Sequence, residues 1–165
     1  MIIREEQPGD ETRIAELIEA AFRSARHSDG NEARIVEGLR TAGALAISLV
    51  AERDGGLAGH IAFSPVRIDG AAGGWYGLGP VSVLPAKQRG GIGSALVRSG
   101  LARLGALGAE GCVLLGDPGY YTRFGFRRMA NLVLSGVPAE YFLALPLNGT
   151  VTGGEVSYHR AFYPD

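Results

Sequence analysis

Cysteine is nearly absent from this chain. Cys112 stands alone among 165 residues, which excludes an internal disulfide and any cluster of thiolate metal ligands. Nothing calls for an oxidising compartment, so a cytoplasmic location and no bound metal are expected. Long apolar runs are missing too, since no stretch approaches the ~20 residues that a membrane helix requires. The opening Met1-Ile2-Ile3-Arg4-Glu5-Glu6 carries acids where a signal peptide would need an apolar core. A soluble protein with no membrane partner is therefore expected. Net charge is also close to zero, because 16 Lys and Arg face 17 Asp and Glu. That balance argues against nucleic acid as a partner, which normally needs a broad electropositive face.

What the chain has in excess is glycine, 26 residues, about twice the usual share. Many turns and close backbone approaches follow. A length of 165 residues suits one domain, expected to span residues 1–165, which buries a core without staples.

Residues 1–4 read as a short strand, and Gly9-Asp10 offers a cap for a helix in which Ile14, Leu17, Ile18, Ala21 and Phe22 recur at helical spacing. Asn31 offers a second cap, before a helix with Ile35, Val36 and Leu39 inward and Gly43 at its end. The period then changes to strand-like runs over 47–53, 59–68 and 75–84. Asp54-Gly55-Gly56, and Asp69-Gly70 with Gly73-Gly74, separate them as hairpin connections. The third run feeds a glycine-rich turn and a helix bearing Ile92, Leu96, Val97, Leu101 and Leu104, followed by an apolar strand at 112–115. That is a βαβ crossover, so the predicted fold is α+β, with a mixed, mostly antiparallel sheet flanked by helices. Residues 132–134, 141–143 and 155–158 read as closing strands or a short helix.

The glycine turn carries the chemistry. In Val81-Ser82-Val83-Leu84-Pro85-Ala86-Lys87-Gln88-Arg89-Gly90-Gly91-Ile92-Gly93-Ser94, a strand runs through glycines straight into a helix. Free amides of a helix's first turn, with the positive end of its dipole, favour a diphosphate. A nucleotide P-loop fails because no Lys follows Gly93. A dinucleotide loop fails because Leu96 occupies its last position and no acid stands where the ribose would be held. What fits is Gln/Arg-x-x-Gly-x-Gly/Ala, read as Gln88, Gly91 and Gly93.

At this motif the chain resembles the GCN5-related N-acetyltransferases, whose acetyl-CoA diphosphate is cradled there. The stretch Gly116-Asp117-Pro118-Gly119-Tyr120-Tyr121-Thr122-Arg123-Phe124-Gly125-Phe126 is similar to the family's later signature, a Tyr four residues before Gly-Phe. Gly59-His60-Ile61-Ala62-Phe63-Ser64-Pro65-Val66 adds a likeness to one bacterial branch, and together the resemblance covers residues 1–160. It implies a parallel strand pair that splays into a V for the pantetheine arm, with Val81 and Val83 offering backbone bonds. It further implies acetyl-CoA as cofactor, held by Gln88, Arg89, Gly90, Gly91, Gly93 and Ser94. Pairing of two copies through the closing strands is also implied.

The reaction so implied is direct attack of a primary amine, of a small molecule or peptide, on the acetyl thioester within a ternary complex. A phenol near pKa ~10 can help a thiolate near ~8.5 to leave. Tyr121 matches the family's acid position, Tyr120 is the alternative, and a packed aromatic corner with Phe124 and Phe126 is the structural one. Backbone N–H near Val83 is the expected oxyanion donor. Glu32 and Glu37 are candidate bases, although Glu32 at a helix start also suits the dipole alone. His60 reads more simply as a core residue than as a base, His27 and His159 are weaker, and a water chain is a further route. Cys112, in an apolar strand, reads as an inert thiol. Residues 114–117 lack an Asn that many members use, so Asp117 is assigned to capping the turn at Pro118. Two other functions are compatible with the sequence: a catalytically silent CoA-binding regulatory module, and modification of a macromolecule such as a protein N-terminus or aminoacyl-tRNA. An acidic acceptor pocket would instead indicate polyamines or aminoglycosides.

Overall fold

One long β-prone stretch folds back on itself twice, and the rest of the molecule is built around it. The computed structural model describes residues 1–23, 25, 28–149 and 153–163. In chain order the elements are β1 (Ile2–Glu5), α1 (Glu11–Phe22), α2 (Glu32–Thr41), β2 (Ile47–Arg53), β3 (Gly56–Ile68), β4 (Ala71–Val83), α3 (Ile92–Ala106), β5 (Gly111–Leu115), α4 (Pro118–Tyr121), β6 (Leu132–Val133), β7 (Phe142–Pro146) and β8 (Gly154–Ser157). The β2–β3–β4 meander turns at Asp54-Gly55 and Asp69-Gly70. All four residues have positive φ, at 55°, 81°, 52° and 79°. That backbone twist matches the flanking strands, and Asp and Gly tolerate it. β3 starts earlier than expected because Gly56 pairs with Arg53 and Leu57 with Glu52, and β4 does so because Arg67 pairs with Ala72 and Ile68 with Ala71, drawing Gly73 and Gly74 into the strand.

The sheet runs in the order β1-β2-β3-β4-β5-β7, with β8 pairing the end of β3 and β6 pairing β8. Helices cover both faces. On one, Ile14, Leu17 and Ile18 of α1 and Val36 of α2 pack against Val50 and Ala62. On the other, Ile92, Leu96, Val97 and Leu104 of α3 cover Leu49, Ile61 and Phe63. Helix α3 can lie this close because Gly59 has no side chain; a Cβ there would stand 2.7 Å from Ile92 Cγ2. The two expected caps are not made. Asp10 precedes α1, but its carboxylate accepts from Arg4 at 2.8 Å and from the Gln7 N–H at 2.7 Å, and Asn31 makes no side-chain cap bond. The ion pair tying β1 to the start of α1 outcompetes the local cap.

β4 and β5 part after a short run of pairing. They pair in parallel only from Trp75 to Gly77, against Gly111 to Val113. Beyond that, the β3–β4 register slips between Ile61 and Phe63, at the Gly79-Pro80 step of β4, and the bulged strand bends away. β5 meanwhile is held along its whole length by β7, so a V opens between β4 and β5.

Candidate active site

At the mouth of the V, α3 begins with unpaired amides. Its first intrahelical bond runs from the Ala95 N–H to the Gly91 carbonyl at 3.0 Å, so the N–H groups of Ile92, Gly93 and Ser94 precede the ladder. Gly91, at φ 84°, turns the chain into the helix in a conformation side chains resist. A Cβ on Gly93 would meet nothing nearer than the Tyr120 hydroxyl at 3.6 Å and Val83 Cγ2 at 3.8 Å, which leaves the cradle open. Val81, Val83, Gln88, Arg89, Gly91, Gly93 and Ser94 all line this cavity of about 620 Å³, together with Tyr120, Tyr121 and Arg123. Gly90 does not face it; a Cβ there would touch the Arg53 guanidinium at 3.2 Å. The donor set suits a diphosphate: amides at a helix N-terminus, with two guanidinium side chains among the lining residues.

Backbone groups of β4 line the V. The Leu84 N–H bonds the Ala58 carbonyl at 2.9 Å, and antiparallel alternation then turns the peptide groups of Val83 and Val81 away from β3. The Val83 carbonyl is taken by Gln88 Nε2 at 3.1 Å, so Gln88 braces the turn as well as lining the cavity.

Opposite stands α4, whose start is fixed by Asp117 accepting from the Gly119 N–H at 2.9 Å, with Pro118 in the first turn. Its two tyrosines point to different tasks. Tyr120 shares a hydrogen bond with Ser94 Oγ at 3.0 Å, and the Arg123 guanidinium lies 4.3 Å from its ring centre. Tyr121 packs edge-on to Phe126 and makes no hydrogen bond through its hydroxyl among the described residues. Burial, reinforced by the neighbouring Tyr120, pushes its pKa up to about 12, so the phenol keeps its proton throughout the ordinary pH range.

A second cavity, of about 560 Å³, lies beyond Tyr121 and is walled by α1, α2, the β4 bulge and residues 134–137 and 158–163. Val81 and Tyr121 line both cavities, so the two spaces meet there. Glu32 faces the second cavity and accepts from Ser28 Oγ at 2.7 Å. Glu37 is exposed and lines a separate groove between α1 and α2.

The remaining polar candidates lie elsewhere. His60 is fully buried, its Nε2 2.8 Å from Ser48 Oγ, and Ser48 in turn donates to Glu6. His159 accepts from the Ala161 N–H at 3.0 Å, and His27 lies outside the described residues. Cys112 is buried and its thiol pKa is pushed up by burial. Sequence reasoning missed Arg123, whose signal was its place two residues after Tyr121. It also missed Tyr158, Phe162 and Tyr163, which no local pattern links to the site.

Known proteins share this fold. A model of the acetyltransferase (GNAT) domain matches residues 44–128. YhbS of Escherichia coli K12, described as an uncharacterized N-acetyltransferase, is 41% identical over 172 residues, covering 98% of each chain. A GNAT-family acetyltransferase from Brucella melitensis, solved in complex with acetyl-CoA, superposes with a TM-score of 0.88 at 53% identity, over 98% of this chain and 97% of that one. YhbS itself, solved with CoA, superposes at 0.89 over 99% of this chain and 92% of its own, with 35% identity in that structural alignment. With the fold, the glycine cradle and these relatives in agreement, the chain belongs to the GNAT acetyltransferase family.

Proposed function

We propose that this protein is an acetyl-CoA-dependent N-acetyltransferase that acetylates a primary amine of a small molecule or peptide by direct attack, both substrates being bound together. The observation that carries this reading is the meeting of two cavities at Val81 and Tyr121, one ending in a diphosphate cradle and the other walled by an acid. Acetyl-CoA, when bound, supplies an activated acetyl thioester. The amides of Ile92, Gly93 and Ser94, with Arg89 and Arg123, hold its phosphates. The Val81 N–H, turned into the V, is the donor for developing negative charge on oxygen. It replaces Val83 in that role, because Val83 lies at the cradle end and does not line the second cavity. Tyr121 Oη holds a proton that it offers to sulfur at the junction. With a pKa near 12 it acts chiefly by donating a hydrogen bond, since complete transfer to a group of pKa ~8.5 is uphill in the absence of further pKa matching. Glu32 attracts the incoming ammonium and receives its proton, while the apolar wall favours the neutral amine that attacks.

Tyr121→Phe is expected to lower turnover at least tenfold while leaving the acetyl-CoA dissociation constant within a factor of about two, as for a group that acts chiefly in the transition state. Unchanged turnover would remove Tyr121 from the mechanism. If the variant and the wild type both bind acetyl-CoA yet release no CoA with any amine, the chain is a CoA-binding module instead.

A further inference from the structure

The second cavity is mostly apolar with a single carboxylate among its described lining residues, and its chemistry narrows the acceptor. Its wall is built from Phe22, Ile35, Leu134, Val137, Tyr158 and Phe162, with Tyr158 and Phe162 stacked edge-on at 4.9 Å between ring centres. Glu32 is the one charged residue among the described residues lining it. A volume of about 560 Å³ lies within the range of small-molecule sites. One carboxylate neutralises one ammonium. A polyamine or aminoglycoside would bring further cationic groups against aliphatic and aromatic walls, where an unpaired charge is strongly disfavoured. An aromatic ring or short alkyl body, in contrast, gains from burial and from edge-on contact with the Tyr158–Phe162 pair.

We infer that the acceptor is a small monoamine with an apolar, preferably aromatic, body, held by its ammonium at Glu32 and by its ring against Tyr158 and Phe162. This deepens the acetyltransferase reading and rests on it. The body lies deep in the cavity, and the amino end lies at the junction beside Tyr121.

The test follows CoA release with a thiol reagent, using acetyl-CoA and 2-phenylethylamine, tryptamine, hexylamine, spermidine, kanamycin and a short peptide with a free N-terminus. Binding of acetyl-CoA and of 2-phenylethylamine to the CoA-loaded protein is measured separately by calorimetry. The expected result is kcat/KM at least 100-fold higher for 2-phenylethylamine or tryptamine than for spermidine or kanamycin. Phe162→Ala should raise KM for 2-phenylethylamine at least tenfold with acetyl-CoA binding unchanged. Val137→Asp, which adds a second carboxylate to the wall, should move the preference at least tenfold toward spermidine. Equal or better use of spermidine, kanamycin or the peptide overturns the inference and leaves the acetyltransferase standing. So does 2-phenylethylamine that neither binds the CoA-loaded protein nor is acetylated. Failure of acetyl-CoA itself to bind overturns the underlying reading instead.

Discussion

Lowering the pH from 7 to 5 should destabilise this protein through His60. The imidazole is buried on β3 with Nε2 against Ser48 Oγ. Because Ser48 donates its own proton to Glu6, His60 must supply the proton of that contact, which fixes the neutral Nε2–H tautomer. A second proton would fall on Nδ1, which is buried without a partner. Burial, with Arg40 adding to it against the opposing pull of Glu6, lowers the pKa from 6.5 to about 4. Between those values the unfolded chain binds a proton that the folded chain refuses. The native state is therefore fully favoured above pH 6.5 and loses ground as pH falls toward 4. At ~1.4 kcal/mol per pKa unit the full loss is about 3 kcal/mol, of which about 2 has gone by pH 5. For a urea slope of ~2 kcal/mol per molar, the unfolding midpoint should fall by about 1 M between pH 7 and pH 5. His60→Gln keeps a donor for Ser48 but cannot titrate, so its midpoint should be much flatter across this window. Glu6 does not confuse the result. Burial opposes its charge, but hydrogen bonds from Arg40 and Ser48 prevail and lower its pKa, so its share is lost as pH falls through and below the ordinary carboxylate value of 4.5, essentially outside the window from pH 7 to 5. A wild-type midpoint that is flat from pH 7 to 5, or a His60→Gln slope equal to it, refutes the reasoning.

Two further perturbations test the cradle and the packing that holds it. Gly93→Val should weaken acetyl-CoA binding at least tenfold by calorimetry with little change in thermal midpoint, because the first Cβ meets only ordinary contacts and the methyl groups enter the cradle. Gly91→Val is the poorer probe, since its φ of 84° adds folding strain to any binding effect. Gly100→Ala should destabilise the protein by about 1–3 kcal/mol in urea titration despite the better helix former, because its Cβ would lie 2.2 Å from Phe63 Cε1 in a closed core.

The parts of the fold that were legible in the sequence are those whose signals are local. Asp54-Gly55 and Asp69-Gly70 mark turns because their φ values are positive, and Ile92, Leu96, Val97 and Leu104 mark a helix face because they touch one core. The glycine turn before α3 was legible for the same reason, since strand, turn and helix follow one another without a break. Competition with distant partners was not. Asp10 is written like a cap but is claimed by Arg4, and Gly90 is written like part of the cradle but is packed beside Arg53. The second cavity was least legible, because Phe22, Glu32, Val81, Val137 and Phe162 come from segments far apart in the chain. Only the sheet brings them together.

The V between β4 and β5 is fixed by covalent and hydrogen-bonded neighbours on both sides: the β3–β4 ladder with its slipped register, and the five residue pairs joining β5 to β7. Neither strand is free to swing inward and zip the slot closed. A long flexible ligand entering it would meet strand groups already aimed, so the ordering cost falls on the visitor rather than the host. Association should then proceed near the rate of simple encounter, without a slow closing phase in stopped-flow traces.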